Sequence, residues 1–296
     1  MRAITITQYG DTGVLRSAEV PAPEPGPGQV RVAVKAAGVN PLDWKIRSGA
    51  MAELFPVEFP HILGHEFAGV VDSVGEGAGF AVGDEVFGWA DTGSYAEYAL
   101  ASTVTRKPAG LSWSEAAALP VVGETALRVL GELEVKPGET VVIHGASGQV
   151  GRIATQAAVA LGATVVGLAG ASSLDEVKEL GALPVQYGDG WVARVRSVAP
   201  DGVDAVFDAA GFGVLGDSVD LLGSPDRLIT IADPSAYAQG LKFSAGGEQT
   251  AAVLEDLVSR GLKLKLGTAY PLADTAEAHK ESATGHAGGK ITLVFG

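Results

Sequence analysis

The sequence predicts an α/β protein in which a β-rich, strongly turned region leads into a doubly wound parallel sheet. Three observations carry that expectation. Residues 1–35 and 60–88 consist of short apolar or alternating runs broken by glycine and proline. From Thr140 onward, apolar runs of strand length alternate with runs of helix length, the pattern of repeated β-α units covered on both faces. The stretch Thr140–Gly151, TVVIHGASGQVG, sets a glycine turn between one such strand and one such helix.

Size and composition narrow the field. A chain of 296 residues, 47% of them hydrophobic, suffices for two modest domains with full cores. No apolar run reaches the roughly eighteen residues of a membrane span, so no membrane partner is expected. The start, MRAITITQYG, lacks the apolar core of a signal peptide, which makes the cytoplasm the default compartment. The absence of cysteine removes disulfides, thiol nucleophiles and thiolate metal sites together. A formal charge of −14, with 21 scattered basic residues, argues against a nucleic-acid partner.

The elements follow in order. ITITQY alternates like a half-buried strand, PAPEPGPGQ reads as a surface loop, and VRVAVKAAGV resumes as a longer strand. The stretch AAGVNPLDWKIRSG then crowds Asn40, Asp43 and Lys45 beside Pro41 and Trp44. Chemistry alone favours a turn in which Asn40 and Asp43 cap a short helix; the functional alternative is a polar constellation at a strand end. Residues 60–88 suit a curved sheet, and GSYAEYAL is a further short strand with Tyr95 and Tyr98 as candidates for a cleft wall or for packing. His65 and Glu66 are the one His–acid pair with a metal-site look. His61, His144, His279 and His286 show no ligand spacing, so His65 reads as a hydrogen-bonded structural residue. Ser112 with Glu115 forms a capping box that opens an Ala/Leu-rich helix. The last segment holds a helix over Thr250–Arg260, another in AYPLADTAEAHKESATG and a final strand, KITLVF, that returns to the first region. The domain division expected is 1–116 with 246–296, and 117–245 inserted between them.

Within the glycine turn the spacing is Gly145, Gly148, Gly151, and Ala146 stands where G-x-G-x-x-G has its first glycine. Strand, turn and helix in that order nevertheless fit dinucleotide binding: a bare backbone approaches a pyrophosphate and the helix N-terminus holds the anion. A serine-hydrolase elbow at Ser147 fails because Gln149 replaces the final glycine of G-x-S-x-G. The second strand ends GLAGASS, with no acid before Asp175 to take an adenine ribose and repel a 2′-phosphate. Ser172, Ser173 and Lys178 are the only polar candidates there. The expectation is NADPH, with NADH the weaker alternative.

The blocks AAGVNPLDWKIRSG, GHEFAGVVDSVG, GDEVFG, GSYAEY, VVIHGASGQVG, FDAAG, DRLITIA and AEAHKESATGHAGGKITLVF together resemble the medium-chain dehydrogenase/reductase superfamily, in its zinc-free quinone oxidoreductase branch, over essentially the whole chain. The resemblance implies a GroES-like catalytic domain plus a Rossmann domain, a cleft between them, and a homodimer. In zinc-dependent relatives a cysteine follows the AAGV strand; here Asn40 occupies that position, His65 remains of the GHE motif, and the region near Val121 offers no third ligand. A zinc alcohol dehydrogenase is therefore the weaker alternative, and a non-catalytic NADPH-binding protein the other.

The resemblance also implies roles. Asn40, Asp43 and Lys45 would line the site, with Asn40 or Lys45 donating to the oxygen of a quinone, enone or enal and Asp43 orienting the strand end and Lys45. Tyr95 is a substrate-cleft candidate. Thr125 would lie near the nicotinamide, and Gly145, Ala146, Ser147, Gly148, Gln149 and Val150 at the pyrophosphate. Ser172 and Ser173 would meet the adenine ribose, and Ala209, Ala210, Ile231 and Ala232 would flank the nicotinamide ribose. The reaction implied is zinc-independent hydride transfer from NADPH to a quinone or an activated C=C bond.

Overall fold

The structure is a computed structural model that describes residues 1–285 and 287–296; His286 lies outside the described residues. The described chain forms two compact units. Met1–Val121, Gln249–Ser259 and Leu264–Gly296 make the first, and Val122–Glu248 with Arg260–Lys263 the second.

The chain opens with β1 (Arg2–Ile6), β2 (Arg16–Glu19) and β3 (Val30–Gly38), followed by helix α1 (Pro41–Ser48). Strands β4 (His61–Ile62), β5 (Glu66–Val74), β6 (Glu85–Trp89), β7 (Tyr98–Ala101) and β8 (Thr103–Arg106) complete the early β-rich region. Helix α2 (Trp113–Glu132) then carries the chain from the first unit into the second. Its start is the expected capping box: the Glu115 N–H donates to Ser112 Oγ at 3.2 Å, and the Ser112 N–H to Glu115 Oε2 at 2.8 Å. The division between units falls inside this helix, where no change of texture marks it.

The second unit is built from β9 (Thr140–His144), α3 (Gln149–Leu161), β10 (Thr164–Ala169), α4 (Leu174–Glu179), β11 (Leu183–Gln186), α5 (Trp191–Val198), β12 (Ala205–Asp208), α6 (Leu215–Leu222), β13 (Leu228–Thr230) and β14 (Lys242–Phe243). Its six strands are all parallel and lie in the order β11-β10-β9-β12-β13-β14. That order reverses direction between β9 and β12, the crevice where doubly wound sheets bind ligands at their strand ends. Val141, Val142 and Ile143 are fully buried, as covering on both faces requires.

After α7 (Ala251–Ser259) come β15 (Leu266–Pro271), α8 (Thr275–Ala283) and β16 (Lys290–Val294). Strand β16 pairs antiparallel with β3, so the closing segment joins the first unit's sheet, of order β15-β16-β3-β5-β6-β8 with β7 also on β3. A smaller sheet, β2-β1-β4, stands beside it in that unit. The aliphatic side chains of β3 and β5, with Ile46, Leu63, Tyr95 and Leu293, form its core.

Helix α3 packs on β9 at the distance the glycines permit. A Cβ on Gly151 would stand 2.7 Å from the Gly145 carbonyl carbon, so only a hydrogen fits there. The helix buries Ile153, Ala154, Ala157 and Ala158, while Leu161, read as part of that face, is 43% exposed in the final turn before the Gly162 cap. Gly151→Ala should lower stability by about 1–3 kcal/mol through this overlap, read as a lower urea midpoint with unchanged slope.

Candidate active site

The first unit's polar cluster forms where β3 runs into α1. Asn40 keeps an extended backbone as the N-cap, Pro41 takes the first helical position, and Asp43 sits one turn in. The Asp43 carboxylate accepts the Asn40 N–H at 2.7 Å, the cap that the sequence suggests. The Asn40 side chain is turned elsewhere. Its Nδ2 donates to Glu66 Oε1 at 2.8 Å, and its Oδ1 accepts from Lys290 Nζ. Lys290 also pairs with Glu66 Oε1 at 2.7 Å, and Glu66 Oε2 accepts the Val121 N–H at 2.8 Å. Pro120 precedes that N–H within α2, breaking the regular ladder at the turn that meets Glu66. Glu66 is fully buried, and a Cβ on Gly38 would lie 2.6 Å from its Cδ, so the glycine of the AAGV strand makes room for the carboxylate.

Asp43 anchors a second cluster. Its Oδ1 lies 2.8 Å from His65 Nδ1, and its Oδ2 accepts the Tyr95 hydroxyl at 2.9 Å. Burial of this fully enclosed carboxyl favours the neutral acid. The hydrogen bond and charge of His65, the charge of His279 and the Asn40 N–H together outweigh it and hold the pKa below the ordinary value. The same contest decides His65: burial opposes the imidazolium, but the Asp43 bond, its charge and that of Glu66 leave the pKa above its ordinary 6.5. Tyr95 is pushed well up by burial and by Asp43, so its hydroxyl stays a donor. His279 stacks edge-on to Tyr95 with ring centroids 5.8 Å apart, and burial lowers its pKa to about 4.

Three expectations change here. Tyr95 is fully buried, so it holds Asp43 and fills the core rather than forming a cleft wall. Asp43 does not orient Lys45: two positions apart on a helix they face different sides, and the Lys45 ammonium lies 5.7 Å from the Trp44 ring centroid. Asn40 is 3% exposed with its amide engaged by Glu66 and Lys290, so it organises the cluster instead of standing open as a donor.

In the second unit, the N–H groups of Gly145 and Ala146 both donate to the Leu168 carbonyl, at 3.1 and 3.0 Å, tying the turn to β10. Gly145 has φ +78°, and the Gly148 N–H closes the turn on its carbonyl at 2.8 Å. Ala146 is tolerated in the place of the fingerprint glycine because Gly167 on β10 faces it; a Cβ there would come within 2.9 Å of the Ala146 methyl. Ser147, Gln149 and Val150 are half-buried around the helix start, and Gly148 caps α3 with no side chain. Ala209, Ala210, Ile231 and Ala232 lie on the loops leaving β12 and β13, and a Cβ on Gly145 would be 3.3 Å from that of Ala210. Ser172 is exposed and Ser173 half-buried on the short turn after β10, while Thr125 is half-buried on α2.

Sequence reading missed what shapes those loops. Buried Asp208 accepts the N–H groups of Ala210 and Gly211 at 3.0 Å on Oδ1 and the Thr230 hydroxyl at 2.8 Å on Oδ2. Thr230 Oγ1 in turn accepts the N–H groups of Ala232 and Asp233 at 3.1 Å. The one available signal was a polar residue closing each of two apolar strands. His144, beneath them, contacts Trp191 edge-on at 4.8 Å, and burial brings its pKa down to about 4.

Residues 26–109 match the alcohol dehydrogenase GroES-like domain, and residues 150–246 the family described as zinc-binding dehydrogenase. Human quinone oxidoreductase is 34% identical over 324 aligned positions covering 100% of this chain and 98% of that protein. The chain belongs to the medium-chain dehydrogenase/reductase superfamily, in its quinone oxidoreductase-like branch. Among solved members of this superfamily, the quinone oxidoreductase from Coxiella burnetii has 30% identity and a TM-score of 0.86, covering 100% of this chain and 99% of the other. Escherichia coli quinone oxidoreductase, solved in complex with NADPH, gives 26% and 0.87, covering both chains fully.

The donor set of this medium-chain dehydrogenase/reductase does not fit the zinc that the second family's description carries. There is no cysteine, Asn40 is engaged by Glu66, and among the described residues no three His, Asp or Glu side chains are grouped to hold a metal. Among the described residues no helix is long and apolar enough to cross a membrane.

Removing one partner of the buried Glu66–Lys290 pair leaves a stranded charge. Lys290→Met should cost about 3–5 kcal/mol, measured by urea unfolding, and the double variant Glu66→Gln/Lys290→Met should recover part of that loss.

Proposed function

We propose that the protein is an NADPH-dependent, zinc-independent reductase of quinones that also reduces the activated C=C bond of enones or enals. The observation that carries this reading is the end-to-end match to quinone oxidoreductases, at 34% identity for the human enzyme. The turn of the second unit suits a dinucleotide: space at Gly145 and Gly148 that a larger residue would narrow, and a helix of 13 residues whose N-cap offers no competing side chain. When bound, NADPH supplies a hydride.

In this reading Gly145, Ala146, Ser147, Gly148, Gln149 and Val150 hold the pyrophosphate. Ser172 and Ser173 hydrogen-bond the 2′-phosphate, and the lack of a nearby acid before Asp175 removes the repulsion an NAD site would impose. Thr125 and the Asp208-ordered loops at Ala209, Ala210, Ile231 and Ala232 serve the nicotinamide end. On the first unit, Asn40 and Asp43 place the end of β3 and the start of α1 against the acceptor, and Lys45 is the alternative donor to its oxygen. A homodimer is part of the same reading, on the strength of the family resemblance.

The test is NADPH consumption with small quinones, enals and enones, chelator present throughout. Turnover with NADPH exceeding that with NADH is expected. Asn40→Ala should lower kcat by about tenfold or more, and by more than Lys45→Ala does, because it releases the alignment of the whole strand end. The reverse order would return the donor role to Lys45. Intact NADPH binding with silence across the panel would mark a non-catalytic binder.

A further inference from the structure

Hydride transfer to a quinone or enone leaves two electrons and a negative oxygen on the acceptor, and a proton must arrive to finish the product. The described residues place one imidazole in the posture of a proton donor. His65 stands between β4 and β5, its Nδ1 fixed on Asp43 Oδ1 at 2.8 Å, and its Nε2 meets no hydrogen-bonding partner among the described residues. Its side chain is 32% exposed, whereas the Asp43 that holds it is fully buried. A carboxylate already accepting the Asn40 N–H and the Tyr95 hydroxyl is an acceptor toward the ring, so Nδ1 carries the hydrogen and Nε2 is the nitrogen left to exchange protons with solvent or substrate.

We propose that His65 is the proton donor to the reduced acceptor, with Asp43 as the positioning residue that aims its Nε2. The inference rests on the reductase reading above. In the step, the hydride delivers both electrons to the acceptor, the Nε2–H bond of the imidazolium breaks, and an O–H bond forms on the hydroquinone or enol oxygen. The neutral imidazole then takes a proton from water. No further oxidant or reductant is required.

The charged surroundings favour the protonated ring. Asp43 from α1 and Glu66 from β5 favour the imidazolium; Lys290 from β16 and burial oppose it, and the net shift is upward from 6.5. His61 on β4 is held below its ordinary value, chiefly by burial and then by the His65 charge, so its neutral form is favoured. Behind Asp43, Tyr95 and His279 are buried, and neither competes for the His65 ring. An acid of this kind acts while protonated, so kcat falls as pH rises through the His65 pKa.

Imidazole NMR of the intact protein, free of cofactor and acceptor, resolves five histidines at most, and His65→Gln assigns the signal. His65 should titrate above 6.5 in the natural protein and lower in Asp43→Asn. In turnover with a small quinone, His65→Gln should reduce kcat by about a hundredfold and flatten the pH profile, with the Kd for NADPH unchanged. A His65 pKa at or below 6.5, or a variant with natural kcat and pH profile, overturns the proposal. Should His65→Gln fail to fold by circular dichroism, Asp43→Asn assigns the signal by its shift and the natural protein decides: a kcat that stays flat across the His65 pKa overturns the assignment. Absence of turnover by the natural protein with every quinone, enone and enal fails the reductase reading and takes this proposal with it. Turnover that is indifferent to His65 fails this proposal alone.

Discussion

Two carboxylates with no exposure, Asp43 and Glu66, constrain everything around them in the first unit. A buried charge is tolerated only where donors meet it, and losing one partner costs more than the pair itself stabilises. The chain meets that demand from distant places: Asn40 at a helix start, Val121 after a proline inside α2, Tyr95 before β7, and Lys290 at the head of the closing strand. The pairing of β16 with β3 is thus more than a sheet edge. It brings the Lys290 ammonium against Glu66, and the carboxamide of Asn40 bridges the two.

The second unit solves a different problem, close approach, with the same economy. An alanine in the place of a fingerprint glycine would crowd the adjoining strand, and a glycine on that strand, Gly167, removes the conflict. The bare-backbone requirement has moved from the turn to its neighbour, with the turn geometry kept by two N–H bonds to the Leu168 carbonyl. Asp208 and Thr230 then do for the loops leaving β12 and β13 what backbone pairing does inside the sheet, giving each N–H group an acceptor at the sheet's switch point.

Local signals carried most of the fold. The apolar run at Thr140–Ile143, the capping box at Ser112 and the alternation beyond residue 140 are each decided by neighbours within a few positions, so they can be read without tertiary knowledge. The Asn40–Asp43 cap was legible for that reason. What Asp43 and Asn40 do with the rest of their hydrogen-bonding capacity was not, because the partners lie 22, 26, 52 and 250 positions away. Asp208 and Thr230 escaped because each reads as an ordinary strand end. Lys45 is a different kind of miss: helical spacing alone sets it on another side of α1 from Asp43, and its proximity in sequence disguised that.

The His65–Asp43 pair shows how a site's chemistry follows from which donors are missing. A carboxylate that fixes one imidazole nitrogen is the arrangement a metal centre uses to aim the other nitrogen at the ion. Here the neighbouring position holds Asn40, whose amide is consumed by Glu66 and Lys290, and no cysteine exists to complete a ligand set. An imidazole held by a buried carboxylate, with its second nitrogen meeting no partner among the described residues, is suited to proton exchange. Under the proposed reductase reading, that competence supplies the proton once the hydride has arrived.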